Sequence, residues 1–375
     1  MELTKSLNSK IKVLQFLSTS DIGGTEKMVL SLIKGMDKAI FQNDVCILDS
    51  KGKMSLEFEK ETNVYYLNYE KGGILKATLS LFWFLKRNKY DIIHIYGFRA
   101  NILGRILGKI AGCQRIITGL RSIFIINTQN KLYTTIATFL DKLTFPLVRL
   151  CISNSKTACD FLIKNGYPSG KFKVVYNGID PNSLDFTSHT PLKDRLKDET
   201  VIISVANFSI WKNHKTLLNA LKIVRENFKF KCLLVGDGPL REELIELTNR
   251  LGLSNDIIFL GRKERVESLL SISDIFVLPS IVEGLPVSIM EAGLAHLPII
   301  STNVGGIPEL VVDGETGILV SSFDVNGLAK AIEELLVDKE KRKRMGEAGY
   351  NRIKNEFSLK KMVKETENIY LDLMK

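Results

Sequence analysis

Two glutamates, Glu283 and Glu291, bracket the segment best equipped to bind a ligand. A Gly-Leu-Pro turn lies between them, after an apolar run at residues 275–278 that predicts a buried strand, and residues 288–295 have the pattern of a helix. A strand, a tight loop and a helix start direct backbone N–H groups and a positive helix end toward an anion. Carboxylates accept hydrogen bonds from hydroxyl groups. The segment therefore predicts a site for a ligand with an anionic centre and hydroxylated ends.

Six further segments accompany this one, in a fixed order along the chain. They are Gly23-Gly24, Asn177-Gly-Ile-Asp180, Val205-Ala-Asn-Phe-Ser-Ile-Trp-Lys-Asn-His214, Val235-Gly-Asp-Gly-Pro239, Phe259-Leu-Gly-Arg262, and Gly305-Gly-Ile-Pro-Glu309 followed by Asp313-Gly-Glu-Thr-Gly317. With the E-x7-E segment, they resemble the retaining glycosyltransferases of family 4, of the bacterial polysaccharide-assembly type, which have the GT-B fold. The resemblance covers essentially the whole chain and is strongest from about residue 200 to residue 320. It implies a nucleotide-sugar donor, with a UDP-sugar expected.

The resemblance assigns roles to both glutamates. It places Glu283 on hydroxyls of the transferred sugar and Glu291 on the ribose hydroxyls, where carboxylates form charge-assisted hydrogen bonds. Donor binding also involves the loop between them. That loop consists of Gly284, Leu285, Pro286 and Val287. The backbone N–H groups of Leu285 and Val287 are expected to reach the diphosphate, and Pro286 has none to offer.

Lys212 occupies the diphosphate-binding lysine position of the family. Relatives often carry an arginine shortly before it, but this chain has Asn207 and Ser209 at those positions. A positive charge is therefore missing or supplied elsewhere. Three candidates stay open, namely Arg99, Arg121 and Arg262. Asn207 and Arg262 are both predicted to contact the donor, Arg262 at the strip that meets the base through its backbone.

The glycine pair Gly23-Gly24 follows a predicted strand and opens a predicted helix. Glycine lets a backbone approach a ligand closely, although a simple tight turn is the alternative reading. We expect this pair to approach the donor diphosphate from the first domain.

His94 and Tyr96 end another predicted strand and are catalytic candidates. Many relatives have a second histidine where Tyr96 stands, and that position is the one tied to catalysis. Tyrosine is a poor base near neutral pH, so Tyr96 is expected to donate a hydrogen bond. A structural role is the alternative for His94.

Strand patterns occur at residues 11–17, 45–49, 92–95, 115–118, 150–153, 201–205, 231–235, 257–259, 275–278 and 298–301, and helix patterns occur at residues 26–36, 102–111, 216–227, 241–251, 266–272, 288–295, 325–336 and 359–374. Strands alternate with helices twice along the chain, which predicts two α/β domains with doubly wound parallel sheets. In the GT-B fold these Rossmann-like domains face a cleft. We predict an N-terminal, acceptor-side domain at 1–188, a nucleotide-sugar-binding domain at 189–357, and a last helix at 358–375 that crosses back to the first domain. Residues 185–200 are the predicted linker.

Composition narrows the class of protein. The charged fraction of 25% and the apolar fraction of 45% are those of a globular chain. Five scattered cysteines indicate reduced thiols and a cytoplasmic setting. The four histidines lack zinc-ligand spacing, and no D-x-D motif is present, so neither a metal nor another cofactor is expected.

Excess positive charge is confined to the first half of the chain. Residues 1–185 hold 26 Lys and Arg residues against 15 Asp and Glu residues. Nucleic acid is not the predicted partner, because no recognition motif accompanies the charge. A solvated basic surface is one reading. The alternative is reversible binding to an anionic membrane, because aromatic residues at 81–90 adjoin Lys86, Arg87 and Lys89.

The predicted activity is metal-independent transfer of a sugar, with retention, to a saccharide or a lipid-linked saccharide in surface polysaccharide biosynthesis. The apolar stretch at 123–148 and the basic first half favour a lipid-linked acceptor and a peripheral position on the inner face of the cell membrane. Two alternatives stay open: a nucleotide-sugar epimerase of GT-B fold, and a binding protein without catalysis.

Overall fold

The structure is a computed structural model that describes residues 9–121, 131–188 and 190–375. The chain forms two compact units, Met1–Gly178 with Leu359–Lys375, and Ile179–Ser358. The division at residue 178 precedes the predicted boundary at residue 188. The predicted linker at 185–200 consequently falls within the second unit.

The first unit contains a seven-stranded, all-parallel sheet. Its strands are β1 (Ile11–Leu17), β2 (Phe41–Ile47), β3 (Asn63–Tyr66), β4 (Ile92–Tyr96), β5 (Arg115–Leu120), β6 (Leu150–Ser153) and β7 (Phe172–Val174). The spatial order is β3-β2-β1-β4-β5-β6-β7, so the direction of winding reverses between β1 and β4. In register, Phe16 of β1 lies beside Cys46 of β2 and Ile95 of β4.

Within the part of the chain that the structure describes, six helices connect these strands. They are α1 (Gly24–Gly35), α2 (Ser55–Glu61), α3 (Tyr69–Asn88), α4 (Phe98–Ile110), α5 (Lys131–Thr144) and α6 (Lys156–Lys164). Helix α3 is interrupted at Gly73, whose φ of 72° is left-handed. Helix α4 packs against both α3 and α5. Of the predicted amphipathic stretch at 123–148, residues 123–130 lie outside the described part of the chain.

The second unit contains a six-stranded parallel sheet. Its strands are β8 (Val201–Val205), β9 (Lys231–Val235), β10 (Ile257–Gly261), β11 (Ile275–Leu278), β12 (Ile299–Thr302) and β13 (Gly317–Val320). The spatial order is β10-β9-β8-β11-β12-β13, and the reversal lies between β8 and β11. Every residue of β11 is buried, as expected of a strand covered on both faces by helices.

Eight helices belong to the second unit. They are α7 (Leu192–Arg195), α8 (His214–Val224), α9 (Arg241–Arg250), α10 (Glu267–Leu270), α11 (Val287–Leu294), α12 (Ile307–Leu310), α13 (Val325–Val337) and α14 (Lys339–Glu356). The core on one side of the sheet joins the buried stripe of α8 to that of α13. The stripe of α8 recurs at Leu217, Leu221 and Val224, which is the helical period.

The last helix, α15 (Leu359–Met374), groups with the first unit and packs against α1. Its buried residues include Met362, Val363 and Tyr370. Among the described residues, no helix combines the length and the apolar content needed to cross a membrane.

Two doubly wound parallel sheets confirm the predicted fold class. The three strands that the sequence analysis did not find, β3, β7 and β13, are edge strands of three or four residues. Helix α3 also escaped prediction. Apolar residues lie on both its buried and its exposed sides, with Leu81 and Leu85 buried and Trp83 exposed, so the run at 81–90 shows no single apolar stripe.

Candidate functional site

The predicted donor-binding residues of the second unit follow the carboxyl ends of its strands. Lys212 follows β8, Arg262 follows β10 and Glu283 follows β11. Because parallel strands end at one edge, their loops gather there, and β8 and β11 flank the point where the winding reverses. Open α/β sheets bind ligands at such a point.

Lys212 and Glu283 form an ion pair, in which the Lys212 ammonium donates to Glu283 Oε1. The Ser280 hydroxyl donates to the same oxygen at 2.6 Å. The Glu283 side chain is 8% exposed and that of Lys212 is 22% exposed. A carboxylate removed from water in this way requires paired charge and hydrogen bonds, and these two donors supply both.

Backbone hydrogen bonds tie the surrounding loops together. The N–H of Ile281 donates to the Trp211 carbonyl at 2.8 Å, which joins the Glu283 loop to the Lys212 loop. On the other side, the N–H of Gly306 donates to the Gly284 carbonyl at 2.9 Å. The ion pair is therefore held by three loops.

Gly305 is required by this arrangement. Its φ is 54°, in the left-handed region, and a Cβ at this position would lie 1.9 Å from the Glu283 carbonyl oxygen. Only glycine meets both constraints without displacing the loop. The Gly305-Gly306 pair thus sets the position of Glu283 through its backbone.

The donor loop leads directly into α11. Gly284, Leu285 and Pro286 are buried, and Val287, half-buried, is the first helical residue. Pro286 precedes the helix in an extended conformation, which suits proline at a helix start. Glu291 lies in the helix and is 8% exposed. The first turn of α11 has no acidic residue, so no carboxylate there offsets the positive end of the helix.

The two polar residues at the family's arginine positions contact each other. The Ser209 hydroxyl donates to Asn207 Oδ1 at 3.2 Å, and Asn207 is exposed. Arg262 is exposed directly after β10. Of the three arginine candidates, only Arg262 belongs to the same unit as Lys212.

The other two arginines contact groups of the first unit. Arg99 Nη2 donates to Asp49 Oδ2 at 2.8 Å. Arg121 donates to Asn177 Oδ1 at 2.7 Å, and its guanidinium lies over the Tyr96 ring at 5.5 Å.

Gly23 and Gly24 begin α1, as predicted, with Gly23 at the N-cap position. The Glu26 carboxylate folds back toward them, because a Cβ on Gly23 would lie 2.3 Å from Glu26 Oε2. Burial raises the Glu26 pKa to about 7, its own backbone N–H opposes that rise, and Asp21 adds to it. This carboxyl group changes charge near neutral pH.

The first unit has a cavity of about 380 Å³ at the carboxyl ends of β1 and β4. Thr25, Glu26, Tyr96, Arg99 and Arg121 are among the residues that line it. These charged and hydroxyl groups lie among apolar side chains such as Phe98, Phe145 and Leu162, and a mostly apolar wall with a few polar groups is the usual make-up of a ligand pocket.

His94 lies beneath Tyr96 and is fully buried. Its Nδ1 is 2.7 Å from the Tyr370 hydroxyl and 2.9 Å from the Tyr96 hydroxyl, and the Tyr96 hydroxyl donates to Gln15 Oε1 at 3.0 Å. Burial, with Arg121 nearby, holds the His94 pKa well below its usual range, so the ring is neutral. Burial also raises the Tyr96 pKa to about 12, which leaves its hydroxyl protonated.

No group of three His, Cys, Asp or Glu side chains suited to a metal ion occurs within the described ranges.

Comparison with known proteins assigns the chain to a family. Residues 190–352 match the sequence model described as Glycosyl transferases group 1, and residues 22–183 match that of Glycosyltransferase Family 4. The chain is a family 4-type GT-B glycosyltransferase.

Two curated relatives illustrate the match. The N-acetyl-alpha-D-glucosaminyl L-malate synthase of Bacillus anthracis is 32% identical over 211 residues, which span 56% of this chain and 55% of that protein. The UDP-Gal:alpha-D-GlcNAc-diphosphoundecaprenol alpha-1,3-galactosyltransferase of Escherichia coli is 26% identical over 390 residues, or 99% of each chain. Among solved structures, Anabaena Alr3699/HepE in complex with UDP-glucose has a TM-score of 0.83 and 23% identity, covering 96% of this chain and all of that one.

Four residues that adjoin predicted site residues of this glycosyltransferase, two in each unit, were not assigned a role from the sequence. Ser280 and Gly305 support Glu283, Glu26 lines the cavity of the first unit, and Tyr370 contacts His94. Local signals exist for the first three, since Ser280 and Gly305 closely follow strand ends and Glu26 follows the glycine pair at the start of α1. Tyr370 has no such signal, because it lies 276 residues from His94.

Proposed function

We propose that this glycosyltransferase moves a sugar from a nucleoside diphosphate sugar, with UDP as the nucleotide, to a lipid-linked saccharide. The reaction retains the anomeric configuration, uses no metal ion and serves surface polysaccharide assembly. The observation that carries the proposal is the Lys212–Glu283 pair at the reversal point of the second sheet, beside the start of α11. A cation, a helix N-terminus and a carboxylate are what a sugar diphosphate requires.

When the donor binds, Lys212 and Glu283 release each other and contact the donor instead. The diphosphate takes the Lys212 ammonium together with the N–H groups of Leu285 and Val287, and the sugar hydroxyls take the Glu283 carboxylate. Glu291 holds the ribose hydroxyls. The loops after β8 and β10, which contain Asn207 and Arg262, hold the remainder of the nucleotide. The paired state keeps both side chains placed before the donor arrives, which reduces the ordering cost of binding.

In the transfer step, the bond from the anomeric carbon to the diphosphate oxygen breaks. The acceptor hydroxyl forms the new bond on the same face, and its proton goes to the departing phosphate oxygen. Lys212 and the start of α11 stabilise the negative charge that develops on the leaving group, which is electrostatic catalysis by preorganised groups. Tyr96 lines the cavity of the first unit, and its protonated hydroxyl donates to Gln15 Oε1 rather than into the cavity.

Two relatives support the choice of substrates. The Escherichia coli relative, matched along 99% of both chains, is named for a UDP-galactose donor and a diphosphoundecaprenol-linked acceptor. The Anabaena neighbour of the same fold was solved with UDP-glucose. A lipid-linked acceptor would also bring the protein to a membrane, where an anionic surface would be its partner.

The test uses the purified full-length protein with a panel of nucleoside diphosphate sugars, a polyprenyl diphosphate saccharide and EDTA. The expected result is transfer in EDTA, with the donor's anomeric configuration kept in the product, as read by NMR. A strict requirement for a divalent cation would overturn metal independence. Epimerised donor without any transfer would assign the protein to the epimerase class instead.

A further inference from the structure

Exposed apolar side chains concentrate on three neighbouring helices of the first unit. Within the described residues, sixteen large apolar side chains are exposed, and eleven of them belong to α3, α4 and α5. These eleven are Ile74, Leu75, Leu79, Trp83, Ile106, Ile110, Leu132, Tyr133, Ile136, Phe139 and Leu143. We call this surface the α3–α5 face. Such concentration on one region marks an interaction surface rather than scattered exposure.

Helix α5 has the clearest pattern. Leu132, Ile136, Phe139 and Leu143 recur at spacings of four, three and four residues, which places them on one side of the helix. These four side chains are 50–69% exposed. A helix of a globular protein normally buries such a stripe against its core. Here the stripe points away from the unit, and the opposite side of α5 faces α4.

The same arrangement continues on the adjacent helices. Leu75, Leu79 and Trp83 recur every four residues along α3, and Ile106 and Ile110 do so on α4. Since α4 packs against both α3 and α5, the three stripes are neighbours.

The charges around these stripes are almost all positive. Besides Arg99 of α4, which pairs with Asp49, the exposed basic residues of the three helices are Lys71, Lys76, Lys86, Arg87, Lys109 and Lys142. The helices contain two acidic residues, Glu70 and Asp141. Asp141 is turned inward, where its Oδ1 accepts from the buried Arg105 Nη1 at 2.7 Å. An apolar stripe with a basic rim is complementary to an anionic lipid surface.

We infer that the α3–α5 face lies on an anionic bilayer, with its apolar side chains inserted at the boundary between headgroups and acyl chains. This inference rests on the proposed lipid-linked acceptor and specifies how the protein meets the membrane. Apolar insertion holds the protein in place, and the basic residues orient and concentrate it. Binding therefore survives high salt, unlike purely electrostatic docking.

The placement also relates the membrane to the cavity of the first unit. Asn101 and Arg105 of α4 and Asp141 of α5 line that cavity, while the outer sides of the same helices carry the apolar stripes. A protein resting on this face holds the cavity just above the headgroups, within reach of a saccharide linked to a membrane lipid.

The experiment is co-sedimentation of the full-length protein with vesicles containing phosphatidylglycerol or phosphatidylcholine alone. It is run at about 0.1 M and about 1 M NaCl, where the Debye length falls from roughly 10 Å to 3 Å. The test variant is Leu132→Ser with Phe139→Ser and Leu143→Ser. The matched control is Leu56→Ser with Phe323→Ser and Val337→Ser, three equally exposed apolar residues outside the face, 62–71% exposed.

Wild type and control are expected to pellet with anionic vesicles, to stay largely bound in high salt, and to bind phosphatidylcholine weakly. The test variant is expected to lose at least tenfold in partitioning while keeping the wild-type melting temperature. Wild type remaining in the supernatant, or a control as impaired as the test variant, would overturn the inference. So would sedimentation velocity showing that the face instead joins two copies of the chain in a dimer that the test variant dissociates.

Donor hydrolysis and transfer to a soluble acceptor analogue, measured without vesicles, separate this inference from the proposed function. Activity in these vesicle-free assays, combined with no vesicle binding, would overturn only the inference that the α3–α5 face binds a membrane. Vesicle binding with no activity on any donor would overturn the proposed function alone.

Discussion

Lys212 and Glu283, 71 residues apart in the chain, bind each other at the edge of the second sheet. Each is therefore the other's charge partner as well as a candidate contact of the substrate. Removing either one leaves a largely buried charge without its counterion, which is costly to the folded state. Substitutions at the two positions are consequently expected to be non-additive in a double-mutant cycle.

Glu283→Ala is expected to abolish transfer while the protein stays folded. The carboxylate accepts from Lys212 and Ser280 and is proposed to hold the sugar hydroxyls, a charge-assisted contact of about 1.5–3 kcal/mol on binding. Turnover with saturating donor and a melting curve are the measurements. Ser280→Ala, which removes one support of the carboxylate, should reduce turnover less. Wild-type turnover in Glu283→Ala would refute the assignment.

Lys212→Ala is expected to lower the transfer rate severely, and Lys212→Arg less so. Asn207 and Ser209 occupy the positions where relatives often have an arginine. The Lys212 ammonium is therefore expected to stabilise a larger share of the negative charge on the leaving diphosphate. The rate is measured in a single turnover with EDTA present throughout. If the single-turnover rate falls equally in Lys212→Ala and Lys212→Arg, the position of the side chain matters rather than its charge, and the leaving-group role is wrong.

Glu291→Ala is expected to weaken the affinity for a free nucleoside diphosphate even with no sugar attached. The side chain lies in α11 and is proposed to hold the ribose hydroxyls. Calorimetric titration with UDP measures the affinity directly, and titration with uracil serves as the ribose-free control. An unchanged affinity for UDP would remove the ribose role from Glu291.

Replacing Lys86, Arg87 and Lys89 together by Glu is expected to weaken binding to anionic vesicles at low salt and to leave donor hydrolysis unchanged. All three are exposed near the end of α3, where each contributes about 1 kcal/mol close to an anionic surface. Co-sedimentation at low salt measures the effect. Equal binding by the variant and wild type would show that these three charges do not contact the membrane.

Glu26→Gln is expected to flatten the pH dependence of stability between about pH 4.5 and pH 7. The folded state raises the Glu26 pKa from 4.5 to about 7 through burial, so the unfolded chain ionises first as the pH rises. The free energy of unfolding of the wild type should therefore fall by up to about 3 kcal/mol as the pH rises through this window, and that of the variant should not. Urea unfolding at several pH values measures it.

The control for this comparison is Glu57→Gln, an exposed glutamate in the first turn of α2. It should follow the wild-type curve. If the plots of unfolding free energy against pH are parallel for wild type and Glu26→Gln, Glu26 has the same pKa in the folded and unfolded states, contrary to its buried position.

Much of the fold could be predicted from local patterns. The strands at 11–17, 150–153, 201–205, 231–235 and 275–278 have the predicted bounds, because a buried parallel strand is a short continuous apolar run between turn residues. The glycine and proline residues beside Glu283 likewise predicted a loop before a helix. Short edge strands were missed, since three or four half-buried residues give too little periodicity to detect.

The sequence by itself determined which residues sit in loops after strands, and hence which could meet a ligand. It did not determine their partners. Lys212 reaches Glu283 only because β8 lies beside β11, and His94 reaches Tyr370 only because α15 packs in the first unit. The outward direction of the α5 stripe was equally undetermined. Periodicity shows that a helix has an apolar side, but only the packing of its neighbours decides whether that side is covered.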